Sequence, residues 1–513
     1  MNLNLQSTFW SVALCLSLGA LSSSAVGVQP PNVILIYADD LGPGMLGCYG
    51  QQRVNTPHID QLAAEGMKFN NYYGGVYCAP ARWTLLTGMH DGRSGGWKQN
   101  RPGLLIKLDE KNTPAVDSRK ALNKYVEKSS APIPEDEVFL AQIAQRVGYR
   151  TAQFGKLDVG FLTNNDRVLR FGWDFHEGYY SHQRCHGFYP PYLWRNGERF
   201  ELAGNTLPNC GKMTEKGDEP VGSGGETYSQ NVFIEGILNF IRSHKDEPFF
   251  LYHPTQLPHG PVATPELHPD FANDASLSLA EKKYASMVKM LDDHVGLIMG
   301  ELKALSLDKK TIVFFASDNG HELYYGPKPD YKQQRLPNGQ KANLTDHKWR
   351  TSECGDVFNG AGGRAGLKRS GYQGGMQCPL IVRWPEHVSP GSQTDLLTAH
   401  YDFMATFAEV IGGNTPAGKD SLSYLPTLLG QPQTKKHQYV VVQNKFNRMG
   451  SSALITRAGW KLVESDLQNG EYQLYNIIDD NEERRNLEQQ YPERVNELKK
   501  ILQREIDSPR PDL

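Results

Sequence analysis

The chain has 513 residues, a formal net charge of −3 and a hydrophobic fraction of 39%. This length allows one large domain together with a smaller one, with a core of normal size. A charge so close to zero excludes a general electrostatic preference for nucleic acid or anionic membranes, although a local group of cations could still bind an anion.

Residues 1–26 are predicted to be an export signal. The apolar run 9–21 is too short and too early for a membrane-spanning helix, and the small residues 22–25 follow it as in a cleavage region. No Lys or Arg precedes this run, so a buried N-terminal helix is the alternative. We expect an exported protein without a membrane span, either periplasmic or secreted, or in a lysosome-type lumen if the source is eukaryotic.

Apolar runs alternate with helical patterns through the first three quarters of the chain. Asn32–Ala38 is a continuous apolar run, which is typical of a strand buried on both faces. Further strands are predicted at 150–154, 248–252, 311–316 and 379–383, and helices at 59–69, 138–147, 227–244 and 279–305. This alternation predicts an α/β catalytic domain, residues 27–395, with a large mixed and mostly parallel sheet flanked by helices.

Segments 174–217 and 322–364 are irregular in pattern and are expected to form long loops that wall a site. The pattern changes after about residue 393. A helix at 399–411 is followed by short strands at 438–442, 452–456, 460–463 and 473–476, and by a final helix at 492–506. Residues 396–513 are therefore predicted to form a C-terminal subdomain with a small antiparallel sheet and a helix.

Polar residues follow four of the predicted strands. Asp39 and Asp40 follow the first strand, and Asp318 and Asn319 follow the strand at 311–316. These oxygen ligands suit calcium, or less well magnesium, and the absence of His or Cys among them argues against zinc. Taken singly, each pair could instead be a turn or a solvated loop.

Lys156 and His259 follow two further strands. Ligands of open α/β sheets bind beyond the carboxyl ends of the strands, so all four strands are expected to share one site. For His259 alone, in a Pro-His-Gly-Pro turn, a loop residue without a catalytic role is the alternative.

Cys78 begins the sequence Cys-Ala-Pro-Ala-Arg, which ends at Arg82 and is followed by Trp-Thr-Leu-Leu-Thr-Gly. Pro80 suits the first turn of a helix, so Cys78 is expected at a helix N-terminus, where the helix dipole favours negative charge. Arg82 lies one turn later on the same face. A nucleophile beside a guanidinium suits an anionic substrate, whereas an isolated cysteine is more often buried or bridged. Candidate bridges are Cys185–Cys210 and Cys354–Cys378, which spacing alone does not establish.

The Cys-x-Pro-x-Arg and Leu-Thr-Gly elements resemble the signature of the sulfatase family, an arylsulfatase-like group of the alkaline phosphatase superfamily. The resemblance covers nearly the whole chain beyond the predicted signal. The other resembling blocks occur in the family's order: 32–42, 56–69, 155–156, 258–259, 317–320, 368–379 and 471–487.

The resemblance implies a sulfuric ester hydrolase in which Cys78 is converted to formylglycine (3-oxoalanine) by a formylglycine-generating maturation enzyme. The hydrate of this aldehyde attacks sulfur, and its second hydroxyl then expels sulfate. The implied calcium ligands are Asp39, Asp40, Asp318, Asn319 and residue 78. The implied catalytic set is Cys78, Arg82, Lys156, His259 and Lys368. In this set Arg82 orients the hydrate, the lysines neutralise charge, and His259 or Lys368 protonates the leaving oxygen.

The chain departs from the family where His usually stands two residues after the lysine of the Gly-Lys block, because Asp158 occupies that position. An acid there reduces positive charge, yet it could contact the hydrate or the substrate. The expected substrate-binding set is therefore Asp158, Lys156, His259 and Lys368. Gln373 and Gln377 stand where the family often has Glu and Arg, and we predict structural roles for both.

The substrate is expected to be a sulfated carbohydrate, hypothetically a galactose or N-acetylgalactosamine unit. Aromatic rings interleaved with His, Arg and Asn in segment 179–199 suit a sugar face, with a packed loop as the alternative. A phosphodiesterase or phosphonate monoester hydrolase, and a non-catalytic binder of sulfated glycans, are the rival functions. The sequence does not indicate the oligomeric state or the position of the sulfate.

Overall fold

The computed structural model describes residues 30–93, 104–129, 133–157, 162–182, 184–205, 224–326, 335, 339, 349–443, 452–466 and 470–509. The strands are β1 Asn32–Ala38, β2 Met67–Phe69, β3 Tyr72–Tyr73, β4 Arg150–Lys156, β5 Phe175–Tyr179, β6 Tyr192–Arg195, β7 Glu198–Glu201, β8 Phe249–Pro254, β9 Thr311–Ser317, β10 Leu380–Arg383, β11 Ser392–Thr394, β12 Thr398–Ala399, β13 Tyr439–Gln443, β14 Ser452–Thr456, β15 Trp460–Asp466 and β16 Glu471–Asn476. The helices are α1 Pro57–Ala64, α2 Cys78–Thr87, α3 Leu104–Glu110, α4 Ala115–Ser129, α5 Leu140–Arg146, α6 Asn165–Arg170, α7 Ser229–Ser243, α8 Pro269–Ala272, α9 Leu279–Ala304, α10 Gln373–Met376, α11 Asp402–Val410, α12 Leu425–Leu428 and α13 Pro492–Asp507.

The main sheet has ten strands in the order β11-β2-β10-β9-β1-β8-β4-β5-β6-β7. Its centre is parallel, because β1 pairs in parallel with both β8 and β9, and β4 pairs in parallel with β8. Antiparallel pairs occur towards the two ends of the sheet, at β9–β10, β10–β2, β5–β6 and β6–β7. The four central strands β4, β8, β1 and β9 therefore end at one side, which we call the carboxyl edge.

Side chains of β1 alternate between two buried layers. Ile34 and Ile36 pack in a cluster that includes residues of α7 and α9, whereas Val33 and Leu35 pack in a cluster that includes residues of α5 and α11. Helices therefore cover both faces of the sheet, which explains why this strand is a continuous apolar run rather than an alternating one.

The C-terminal sheet is antiparallel, with strands in the order β13-β14-β15-β16. Leu498 and Leu502 of α13 pack against Leu454 and Leu462 of this sheet. The predicted fold class is thus confirmed: a large mixed, mostly parallel sheet flanked by helices, with a smaller antiparallel sheet and a helix. The division of the chain at residues 395 and 396 stays a prediction, and β12 pairs with β3 while α11 contributes to the main core.

Two predicted segments differ from the structure. The helix predicted at 59–69 ends at Ala64, and Met67–Phe69 is a sheet strand. Gly66 allows this exit, because a Cβ there would lie 2.2 Å from the carbonyl oxygen of Val382. The segment 174–217, expected to be irregular, contains β5, β6 and β7. Its missed signal is Asn196-Gly197, whose positive φ angles of 47° and 89° form the hairpin turn between β6 and β7.

The Cys354–Cys378 bridge is wrong, because both side chains are free buried thiols in different core clusters. The other candidate pair includes Cys210, which lies outside the described residues, as do the export signal and Asp158. Within the described part of the chain, no helix combines the length and the apolar composition needed to cross a membrane.

Candidate active site

The site begins where β1 and β9 end side by side at the carboxyl edge. The backbone N–H of Asp318 donates to the carbonyl of Ala38 at 3.1 Å, and the N–H of Asp40 donates to Asp318 Oδ1 at 3.0 Å. Asp40 has φ 62°, a left-handed conformation that is uncommon for non-glycine residues and frequent at functional sites. These contacts bring Asp39, Asp40 and Asp318 together, each fully buried.

The oxygen atoms of this group fit a hard divalent cation. Asp39 Oδ1 and Asn319 Oδ1 are buried and have no hydrogen-bond partner among the described residues. The amide of Asn319 donates instead to Asp40 Oδ1 at 2.7 Å, which fixes both side chains. Buried acceptors are normally satisfied, and a cation with carboxylate and amide ligands would satisfy these two.

Cys78 is the first residue of α2 and is 2% exposed. Its Sγ and one carboxylate oxygen each of Asp39 and Asp318 lie within 4.8 Å of one another. Burial raises the pKa of the thiol to about 11, against the lowering effect of Lys156 and Lys368. The unmodified side chain is thus mostly a protonated thiol at neutral pH, and the thiolate is the nucleophilic form of cysteine.

Arg82 and Lys156 place two buried cations against these carboxylates. Arg82 Nη2 lies 3.0 Å from Asp318 Oδ2 and 3.4 Å from Asp39 Oδ2, while Nη1 donates to the carbonyl of Lys156 at 2.8 Å. Lys156 Nζ donates to Asp39 Oδ2 at 2.9 Å. Gly155 allows this approach, because it has φ 123° and a Cβ there would lie 2.3 Å from the carbonyl oxygen of Pro254.

Lys368 and His259 form a second buried group around Asp40. Lys368 Nζ lies 2.6 Å from Asp40 Oδ2 and 3.1 Å from His259 Nε2. The hydroxyl of Tyr324 donates to the same Asp40 oxygen and lies 3.4 Å from Lys368 Nζ. Because His259 Nδ1 contacts the carbonyl of Gly260, the neutral ring would carry its proton there and turn the Nε2 lone pair towards Lys368.

The charges in the site push its carboxyl pKa values apart. Burial and the carboxylate of Asp39 raise the pKa of Asp318 well above its usual range, despite the guanidinium of Arg82. Burial also acts to raise the pKa of Asp39, but Lys156, His259 and Arg82 outweigh it and hold this pKa well below its usual range. A divalent cation would relieve the repulsion between these carboxylates.

The pKa values of two basic residues in the site shift in opposite directions. Burial lowers the pKa of Lys368, but Asp40 outweighs it and the pKa is raised. Burial and the ammonium of Lys368 lower the pKa of His259 to about 4. The ammonium is therefore the proton carrier of this pair at neutral pH in this arrangement.

The structure brings all of the predicted site residues together except Asp158, which lies outside the described residues. The residues brought together are Asp39, Asp40, Cys78, Arg82, Lys156, His259, Asp318, Asn319 and Lys368. Sequence reasoning missed Tyr324, which lies in a segment treated only as an irregular loop. It also missed the positions of His182 and His186, each of which brings a ring nitrogen within 4.8 Å of Cys78 Sγ, although it singled out segment 179–199. A tyrosine or histidine without a motif carries no local signal that places it beside Asp40 or Cys78.

Three aromatic rings of segment 179–199 pack on one another. Tyr180 and Trp194 stack with ring centroids 4.7 Å apart, and Tyr192 meets Trp194 edge-on at 5.8 Å. All three are buried. These three rings therefore match the alternative of a packed segment. His182 of the same segment lines a small cavity together with Lys156.

Comparison with known proteins identifies the family of this chain. The family described as Sulfatase matches residues 31–413, and the family described as N-sulphoglucosamine sulphohydrolase, C-terminal, matches residues 366–510. The chain is 30% identical to an N-acetylgalactosamine-6-O-sulfatase of Bacteroides thetaiotaomicron, with 93% of each protein covered. It is 28% identical to N-acetylgalactosamine-6-sulfatase of Homo sapiens, with 78% of this chain and 66% of the human protein covered.

A solved structure from work on the metabolism of multiple glycosaminoglycans by Bacteroides thetaiotaomicron has the same overall fold. It superimposes with a TM-score of 0.67 at 26% identity, covering 93% of this chain and 99% of that chain. The similarity therefore includes both sheets.

Proposed function

This chain belongs to the sulfatase family of sulfuric ester hydrolases, and we propose that it removes sulfate from a sulfated carbohydrate, using a formylglycine made from Cys78 and a bound calcium ion. The observation that carries the proposal is the position of residue 78. It lies at the N-terminus of α2, within 4.8 Å of the Asp39 and Asp318 carboxylates and close to buried cations.

Conversion of Cys78 to formylglycine would replace a protonated, buried thiol by a hydrated aldehyde, and a hydroxyl of this hydrate would be the nucleophile. A formylglycine-generating maturation enzyme would supply the oxidation before the site is complete. The hydrated side chain then offers two hydroxyl groups, one to attack sulfur and one to release sulfate as the aldehyde re-forms. A serine at this position could be sulfated but would lack this internal release step.

Asp39, Asp40, Asp318 and Asn319 would hold the calcium ion. When bound, the ion would supply charge that lowers the pKa of the nucleophilic hydroxyl and polarises a sulfate oxygen. The two buried oxygens without partners, Asp39 Oδ1 and Asn319 Oδ1, support this assignment.

The cations of the chain perform the remaining steps. Arg82, fixed by Asp318 and by the carbonyl of Lys156, orients the nucleophile. Lys156 stabilises the negative charge that develops on the transferred sulfuryl group. Lys368 and His259 lie 3.1 Å apart and form the proton-donating pair for the leaving oxygen, with the lysine holding the proton at neutral pH.

The names of the relatives support a carbohydrate substrate. Those relatives are N-acetylgalactosamine-6-sulfatases, and the similar solved structure comes from work on glycosaminoglycan metabolism. A sulfated galactose or N-acetylgalactosamine unit is the proposed substrate. We also propose export, on the basis of the apolar run at residues 9–21 and the small residues that follow it, and a substrate-binding role for Asp158.

The deciding experiment combines mass spectrometry with turnover. The protein is expressed with and without a formylglycine-generating enzyme, and the peptide containing residue 78 is analysed in both samples. We expect the aldehyde mass only in the first sample, together with release of sulfate from 6-sulfated N-acetylgalactosamine or galactose. The Cys78→Ala variant is the matched control and should release no sulfate.

Three outcomes would contradict parts of this proposal. A persistent thiol in fully active protein would end the formylglycine assignment. Faster turnover of aryl phosphate diesters than of aryl sulfates would favour the phosphodiesterase alternative. Glycan binding without sulfate release from any member of a substrate panel, by protein that carries the aldehyde, would favour a non-catalytic binder.

A further inference from the structure

Two histidines outside the predicted set lie beside the nucleophile. One ring nitrogen of His182, one of His186 and the Sγ of Cys78 all lie within 4.8 Å of one another. The two rings meet edge-on with centroids 4.2 Å apart, and the ring of His186 stacks on His259 at 4.6 Å with an interplanar angle of 3°. We call His182 and His186 the histidine pair.

The histidine pair is held in place from two directions. The amide of Gln256 donates to the carbonyls of Cys185 and Gly187, which flank His186. Gln256 belongs to the loop that carries His259, so both walls of the site share one anchor. On the other side, Arg184 forms an ion pair with Asp109 of α3.

Gln256 is itself fixed by a buried amide. Gln230 Nε2 of α7 donates to Gln256 Oε1 at 2.6 Å, and the hydroxyl of Thr255 donates to Gln230 Oε1 at 2.8 Å. The turn that carries the histidine pair is therefore preorganised before any ligand arrives, as precise binding sites require.

The surroundings of the histidine pair favour an anion over a second cation. His182 lines the same small cavity as Lys156, and His186 stacks on His259, whose Nε2 lies 3.1 Å from Lys368 Nζ. His186 Nε2 is buried without a hydrogen-bond partner among the described residues. A buried polar nitrogen without a partner costs free energy, which a ligand oxygen accepting its N–H would recover.

We propose that His182 and His186 are substrate-binding residues that donate N–H hydrogen bonds to oxygens of the sulfuryl group being transferred. This inference rests on the proposed function, which supplies the sulfate ester. The histidine pair adds a further group of hydrogen-bond donors to the anion site. These donors come from a different segment of the chain than the motifs that provide Lys156, Arg82 and Lys368. A sulfuryl group has three oxygens besides the ester oxygen, and each can accept such a bond.

The test uses the full-length mature enzyme and the variants His186→Ala, His186→Gln and His182→Ala. Tyr189→Phe is the matched control, because it removes only a hydroxyl from the same wall. Two quantities are measured: kcat/KM for an aryl sulfate and the affinity for inorganic sulfate by calorimetric titration. Formylglycine content is checked by mass spectrometry in every sample.

We expect His186→Ala and His182→Ala each to lower kcat/KM at least about 10-fold, as loss of one charge-assisted hydrogen bond does, and to weaken sulfate binding by a similar factor. His186→Gln keeps an N–H donor and should retain more of both than His186→Ala. Tyr189→Phe should match the wild type in both.

The proposal would be overturned if folded His186→Ala and His182→Ala both keep a sulfate affinity and a kcat/KM within about twofold of the wild-type values. If the alanine variants do not fold, His186→Phe decides, because it keeps a ring of similar size but has no N–H donor; unchanged sulfate affinity in that variant contradicts direct binding. A wild-type enzyme that binds sulfate but cleaves no sulfate ester would count against the proposed function, while sulfate titration of the variants would still test the histidine pair.

Discussion

Two buried charge networks in this molecule use similar residues for different ends. At the carboxyl edge, Lys156 and Lys368 face Asp39 and Asp40, and the group leaves Asp39 Oδ1 without a partner among the described residues. Beneath the C-terminal sheet, Lys461 of β15 pairs with Glu483 at 2.8 Å, and both side chains are fully buried. We call the first network open, because Asp39 Oδ1 and the neighbouring Asn319 Oδ1 both lack a partner among the described residues. We call the second closed, because Glu483 Oε1, although it accepts no hydrogen bond, lies against the ammonium of Lys461.

The closed network joins the two sheets through α10. Gln373 accepts from Lys461 at 3.1 Å, its backbone N–H donates to Glu483 at 2.8 Å, and its side-chain amide donates to Asn481 at 2.9 Å. Since Gln373 follows Lys368 by five residues, the C-terminal sheet supports the backbone that leads from Lys368, the proposed proton donor. The comparison teaches that burial, charge or one buried acceptor without a hydrogen bond does not by itself identify a catalytic group. Several such acceptors that meet at the ends of neighbouring strands, as Asp39 Oδ1 and Asn319 Oδ1 do, help to identify one.

Calcium removal should have the largest effect on activity, because the ion binds to the open network and not to the closed one. Treatment with a calcium chelator is expected to abolish measurable sulfate release, and readdition of calcium should restore it. Calcium at about 100 times its Kd should also stabilise the fold by about 2.7 kcal/mol, because it binds only the native site. Metal analysis, activity and thermal melts check this result.

The variant Asn319→Leu tests the same assignment in a second way. It removes one predicted ligand and should raise the calcium concentration needed for half-maximal activity. Full activity in protein shown by metal analysis to contain no divalent cation would contradict the assignment.

Changes in the closed network should lower the free energy of unfolding. Lys461→Met leaves Glu483 buried without its cation, and such changes cost about 3–5 kcal/mol of unfolding free energy. The double variant Lys461→Met/Glu483→Leu should lose less than the sum of the two single variants, because no unpaired charge remains. Urea unfolding of the four proteins measures this coupling. Additive single and double effects would show that the pair does not act as a unit.

The comparison also explains what the sequence could predict. Three of the strands that lead to the site, β1, β8 and β9, are largely apolar runs, and the Cys78 and Asp39-Asp40 motifs are local, so the sequence predicts both. Tyr324, His182 and His186 reach the site through tertiary packing of irregular segments, and no spacing rule marks them. Gln373 was predicted to be structural, and its buried contacts agree with that role.

The three strands at one end of the main sheet illustrate a second kind of miss. β5, β6 and β7 lie in a segment rich in Tyr, Gly and Pro, whose composition suggested a loop. Their pairing depends on a hairpin turn at Asn196-Gly197 and on addition to the edge of an existing sheet. The extension of the sheet therefore depended on non-local pairing, and not on the period of hydrophobic residues.

Two buried lysines provide the sharpest test of the comparison. Lys368→Met should reduce kcat/KM for an aryl sulfate by about 10²–10³-fold, the usual effect of removing one transition-state electrostatic contact. Lys461→Met should leave kcat/KM of the folded fraction within about threefold of wild type. Stopped assays at a temperature where both variants are folded make the comparison direct. Equal losses of kcat/KM in the two variants would remove the distinction between an open and a closed network.

The smallest expected effect concerns the junction between the two regions, where His437, just before β13, lies 2.7 Å from Asp402 of α11. Burial lowers the pKa of His437, but Asp402 outweighs it and raises the pKa above its ordinary value. A raised histidine pKa means that the stabilisation is complete below the unfolded value, about pH 6.5, and is lost as pH rises through the folded value.

We therefore expect the unfolding free energy to fall by about 1 kcal/mol above pH 6.5, the usual net contribution of one intramolecular hydrogen bond. Urea unfolding of wild type and His437→Gln at several pH values should show this slope only in the wild type. His387→Gln is the control, since His387 is exposed and stacks on Trp384 of the main domain. Because the described contacts of His437 and Asp402 include no residue of the Asp39 group, kcat/KM of His437→Gln should follow the wild-type pH profile. A shifted pH profile of kcat/KM would mean that the charge of His437 changes the titration of groups at the carboxyl edge. The two regions would then be coupled more closely than their separate networks indicate.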